Sequence, residues 1–199
     1  TACVYGGFTN TLDDCGNGSS AFTSPSNGAS LSASYDIGGG FTGAFGYAGE
    51  GTSEGLMTKA GQDYVGGQLS YAADSYGISA TYAQTEGSKF YSTPNNPTSE
   101  YLRDTSTYGL NAYWTPDSTG GVPSVSVGYE FAEVDGSNTD TTQWFVGLQW
   151  DEAGPGTLGV AAGSKGATVE NTDELLAYEI FYSYPVNDGM TITPAIFVL

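Results

Sequence analysis

Apolar and polar residues alternate along most of this chain. Near its C-terminal end, Leu176, Tyr178, Ile180, Tyr182 and Tyr184 share one parity, and Ala177, Glu179, Phe181 and Ser183 share the other. After Asn187-Asp188-Gly189 the alternation resumes. Met190, Ile192, Pro194, Ile196 and Val198 then stand against Thr191, Thr193 and Ala195. A period of two is the signature of a strand with unlike faces, and Asp-Gly between two such runs predicts a hairpin. The same rhythm predicts earlier strands over about 29–37, 41–49, 63–72, 76–85, 105–115 and 124–134. A seventh strand sets Trp144, Val146, Leu148 and Trp150 against Gln143, Gly147 and Gln149. An eighth is weak, with Leu158, Val160 and Ala162 as its best face. The chain is therefore all-β, with about ten antiparallel strands.

Alternation alone leaves two architectures open. In a sandwich the apolar face points into a core. In a transmembrane β-barrel it points at lipid and the polar face lines a lumen. The connections separate the two. Residues 1–28, 50–61 and 86–104 are long and rich in turn formers, with Pro94 and Pro97 barring regular pairing in the last. Residues 38–40, 73–75, 151–156 and 185–189 are short. Long and short connections alternate, as in outer-membrane barrels with short periplasmic turns and longer outer loops. Tyr47, Tyr71, Tyr82, Trp114, Trp150 and Tyr184 recur at strand ends, where a barrel carries an interfacial girdle.

Charge changes the picture of partners. The 199 residues hold 22 acidic and 4 basic side chains, a formal charge of -18. Such a surface excludes nucleic acid as a partner, gathers cations and repels anions. There is no histidine, so serine and cysteine triads built on it are absent, and no catalytic constellation emerges. Glu130 and Glu133 fall on opposite strand faces, and the acidic run 135–140 lacks the closing Glu of an EF-hand loop. No cofactor or metal is expected. Cys3 and Cys15 bracket a short polar stretch and fit a disulfide made in an oxidising compartment.

The run EIFYSYPVNDGMTITPAIFVL resembles the near-terminal hairpin of cyanobacterial outer-membrane porins of the carbohydrate-selective (OprB-like) family. The likeness rests on Glu179, Phe181-Tyr182, Tyr184, Val186, Asn187-Asp188 and Ile192-Thr193-Pro194-Ala195. It implies a transmembrane porin barrel domain over residues 1–199, a fragment of a sixteen-stranded barrel with five strands before Thr1 and one closing strand after Leu199. On that topology residues 1–28 form an inward-folded constriction loop, with Cys3–Cys15 bracing it and Asp13 and Asp14 near the narrowest point. Lumen parity turns Asp36, Glu130, Gln143, Gln149 and Glu179 inward. The expected function is passive diffusion of small hydrophilic solutes and ions, with a preference for cations. Expected partners are those solutes and outer-membrane lipid, and homotrimeric assembly is also expected. A secreted acidic β-sandwich that binds carbohydrate through Tyr and Trp is the alternative.

Overall fold

The computed structural model describes residues 29–49, 63–86, 104–117, 121–136 and 140–198. Cys3, Cys15, Asp13, Asp14 and the whole of 1–28 lie outside the described residues. Twelve strands form one antiparallel sheet. They are β1 (Ala29–Gly38), β2 (Phe41–Gly49), β3 (Asp63–Ala72), β4 (Tyr76–Glu86), β5 (Thr105–Trp114), β6 (Ser124–Val134), β7 (Thr141–Ala153), β8 (Gly156–Ser164), β9 (Thr168–Val169), β10 (Leu176–Asn187), β11 (Met190–Ile192) and β12 (Ala195–Val198). From β1 to β8 each strand pairs with the next, and β10 joins β8. Among the described residues the sheet does not close on itself. No helix there is long and apolar enough to cross a membrane, which says nothing of crossing by strands.

Three details differ from the expected ten strands. The eighth strand is complete, its nine residues hydrogen-bonded to β7 on one side and β10 on the other. Its glycines and alanines carry little apolar signal, and pairing from both neighbours supplies the order. β9 is a two-residue strand inside the connection after β8 and pairs with Thr141 and Thr142. The last arm is divided into β11 and β12, yet Tyr184–Ile192 and Phe181–Ala195 keep one register. The interruption is Pro194, which has no N–H for the ladder, although its carbonyl still accepts from Tyr182 N at 3.0 Å.

The main strands, β1 to β8 and β10, run 9 to 13 residues, enough to cross a hydrocarbon core when tilted. Their two faces are reversed relative to a soluble protein. On β4, Tyr76, Ile78, Ala80 and Tyr82 are exposed while Gly77, Ser79, Thr81 and Ala83 are buried. Leu110 is 55% exposed and Ser79 1%. Tyr108, Val146, Ile180 and Ile192 are exposed on the apolar face, and Trp144 and Leu148 are half-buried there. Among the described residues there is a single sheet, so no second sheet there covers this apolar face. The small-residue face holds one apolar cluster of Ala161, Ala177 and Phe181 with Phe145 against it.

Aromatic side chains mark the apolar face at two levels. Phe41, Tyr76, Trp114, Trp150 and Tyr184 form one belt, and Tyr47, Tyr82, Tyr108, Trp144 and Tyr178 the other. The two members on each of these strands stand six positions apart, about 20 Å along a strand. Rings touch along the belts: Phe41–Tyr71 at 4.8 Å, Tyr71–Tyr76 at 5.9 Å and Tyr82–Tyr108 at 5.2 Å. Phe41 pairs through Tyr71, Ile78, Ala112, Val127, Val146 and Ala162 to Tyr178. One row of register partners thus starts in one belt and ends in the other, seven strand steps later. Level belts require the strands to lean by roughly 30° from the normal, given the rise and spacing of strands. That is close to the tilt of outer-membrane barrels.

The two ends of the sheet are unlike. The connections at 39–40, 73–75, 115–123, 154–155 and 188–189 are all at one end, and those at 50–62, 87–104, 135–140 and 165–175 at the other. At the short-turn end, Gly38, Gly39 and Gly40 all have positive φ, the conformation glycine adopts at little cost. Asp36 Oδ1 accepts from Gly38 N at 2.8 Å and fixes that turn.

Candidate functional site: the polar face of the sheet

Register carries one face across the sheet. Ser34, Ala44, Gln68, Thr81, Gly109, Glu130 and Gln143 form a continuous row from β1 to β7. Alternation puts each of them on the side away from Leu110 and Val146. Within the row, Gln68 Nε2 donates to Thr81 Oγ1 at 3.0 Å, and Gln143 Nε2 donates to Glu130 Oε1 at 3.0 Å. Glu130 and Gln143 are both buried. A carboxylate tied to a side-chain amide keeps a fixed position, and a buried charge needs such a donor.

Tyr64 on β3 shares this face, its hydroxyl lying over Gly66 two positions along the same strand. The small residues on this face suit the inside of a curve, where Cβ atoms crowd. Among the described residues, Ser79, Thr107 and Ser126 are the largest fully buried side chains.

The remaining sequence-derived candidates lie at other levels. Glu179 shares this face and is buried on β10, in register with Ala161 on β8 and Phe197 on β12. Its row lies nearer the short-turn end than that of Gln143, because Gly147 of β7 stands opposite the same Ala161. Gln149 is closer still to that end, and its Nε2 donates to Asp151 Oδ1 at 2.7 Å. Asp36 is on the same face but exposed and engaged with its turn. The fold therefore brings Glu130 and Gln143 together and spreads Glu179, Gln149 and Asp36 toward the short-turn end. Asp13, Asp14, Cys3 and Cys15 fall outside the described residues. Sequence reasoning missed Tyr64, Gln68 and Thr81. The available signal was parity, since Tyr64 is an aromatic residue out of phase with the apolar positions of its strand.

Charge is unevenly spread between the ends. Asp36, Asp74, Asp117, Asp151, Glu152 and Asp188 surround the short turns and are all exposed. The chain's four cations, Lys59, Lys89, Arg103 and Lys165, all belong to the long connections by sequence. Among the described residues no group of three or more metal-ligating side chains is present.

A family model described as Gram-negative porin matches residues 3–195. No curated protein and no solved structure matches the chain.

Proposed function

Because the chain belongs to the Gram-negative porin family, an outer-membrane channel for small solutes and ions, we propose that its sheet is part of a closed transmembrane barrel with a cation-preferring lumen. The observation that carries this reading is the reversed sheet, with large apolar side chains outward and Glu130, Gln143 and Glu179 on the opposite face. Closure follows from the solvent: an open sheet edge in hydrocarbon leaves its N–H and C=O groups unsatisfied. Sixteen strands, a homotrimer and contact with outer-membrane lipid belong to the same proposal. So does a lumen path past Asp36, Glu130, Gln143, Gln149 and Glu179.

Cation preference is supported by two features. Glu130 places a carboxyl group on the polar row, held there by Gln143, and the short-turn mouth has carboxylates without a cation among its residues. Residues 1–28 are proposed to narrow the lumen, with Asp13 and Asp14 adding negative charge there. Sugars remain among the proposed solutes through the resemblance to carbohydrate-selective porins. Among the described residues the sandwich alternative has no second sheet to receive the apolar face.

Reversal potentials of the reconstituted channel across a salt gradient test the selectivity. Cations are expected to permeate better than anions, and the preference should shrink as salt rises and screens the field. Glu130→Gln should reduce it. Anion preference in the unmodified channel would refute the assignment.

A further inference from the structure

The polar face also carries aromatic rings, and three of them share one arrangement. Tyr113 stands directly opposite Gly77, Phe145 opposite Gly128, and Phe181 opposite Gly159. In each pair the ring Cε1 lies where a Cβ on the glycine would be, closer than real Cβ contacts allow. The rings therefore lie across the neighbouring strand and fill the place of its missing side chain. Side chains in strands ordinarily stand roughly perpendicular to the sheet. A phenyl or phenol ring standing that way would project into whatever the face encloses.

Glycine inside a strand costs backbone entropy and gives up packing, so each of these positions calls for a reason. Other glycines of the same face provide the contrast. A Cβ on Gly46 would meet nothing within 4 Å, and one on Gly109 would meet only Thr81 Cβ at 3.7 Å. Glycine is thus sterically required beneath Tyr113, Phe145 and Phe181, and not at Gly46 or Gly109. At Gly128 the Asn111 Oδ1 also comes within 2.6 Å of the Cβ position. That amide is the end of a side chain and can turn aside, whereas the ring of Phe145 covers the glycine directly.

We propose that Gly77, Gly128 and Gly159 set the bore of the channel by letting Tyr113, Phe145 and Phe181 lie flat on its inner wall. They are positioning residues for solute size: each acts through the ring of its partner. The inference rests on the reading that this face lines the lumen. A methyl group at Gly128 lifts Phe145 off the wall and moves its ring toward the passing solute.

The test uses the reconstituted channel, with single-channel conductance and vesicle swelling in neutral sugars of increasing size as readouts. Gly128→Ala is expected to lower the conductance and the size cut-off. Adding Phe145→Ala to that variant should restore both, because the ring that was lifted is gone. Gly46→Ala on the same face should leave both unchanged, since its Cβ would meet nothing within 4 Å. The idea is overturned if Gly128→Ala inserts with unaltered conductance and cut-off, if Phe145→Ala fails to relieve the loss, or if Gly46→Ala produces an equal loss. Should Gly128→Ala fail to fold, Gly77→Ala with and without Tyr113→Ala decides the question by the same criteria. Absence of any channel from the unmodified protein would instead refute the channel reading itself.

Discussion

Replacing Val146 by lysine tests the orientation of the whole sheet. Val146 lies on the apolar face of β7, paired with Val127 on one side and Ala162 on the other. It is 38% exposed, and in an aqueous protein a lysine at such a site would change stability by about 0.5 kcal/mol or less. In a membrane the same site is costly. Trp144 is two positions away toward one aromatic belt and Trp150 four positions away toward the other, about 7 Å and 13 Å along the strand. A charge at the bilayer midplane of a barrel costs about 2–4 kcal/mol. Val146 is a third of the way between the belts, and a lysine stem can carry its ammonium toward the nearer one. The expected loss for Val146→Lys is therefore about 2 kcal/mol, the lower part of that range. Glu133→Lys, on the same face but near the long-loop end of β6, should cost about 0–1 kcal/mol. Urea titrations from lipid vesicles, followed by tryptophan fluorescence, measure both. A Val146→Lys variant within about 0.5 kcal/mol of the parent, and no worse than Glu133→Lys, would show that this face does not meet lipid.

Two further outcomes follow from other parts of the chain. Gly40→Ala forces a side chain into a positive-φ position and brings its Cβ to 2.5 Å from the Ala72 carbonyl oxygen; a loss of about 1–3 kcal/mol in the same urea titration is expected, and an unchanged midpoint would show that the turn relaxes freely. Cys3→Ser should leave the barrel folded, with unchanged heat-dependent gel mobility, and alter single-channel conductance by releasing the proposed constriction; unchanged conductance would separate the disulfide from the lumen.

Much of this architecture was legible in a single sequence because strand structure has a short period. Tyr76 to Tyr82 alternate with Gly77 to Thr81 within a few residues, and that local pattern determines both the strand and its two faces. The ends were legible for a similar reason: Gly38-Gly39-Gly40 and Asn187-Asp188-Gly189 can only be tight turns. β8 was faint because glycine and alanine carry little apolar signal, and its order comes from β7 and β10. The division of the last arm at Pro194 follows from one missing N–H.

Parity could turn Glu130 and Gln143 to one side, but it could not make them neighbours. Their bond depends on the β6–β7 register, which joins residues thirteen positions apart. The glycine–aromatic pairs have the same origin: Gly77 and Tyr113 are unremarkable in their own segments, and only pairing lays one ring over one bare backbone. Faces follow from the alternation of one strand, whereas levels, contacts and bore depend on how strands slide past one another, which is settled by side-chain packing across the sheet.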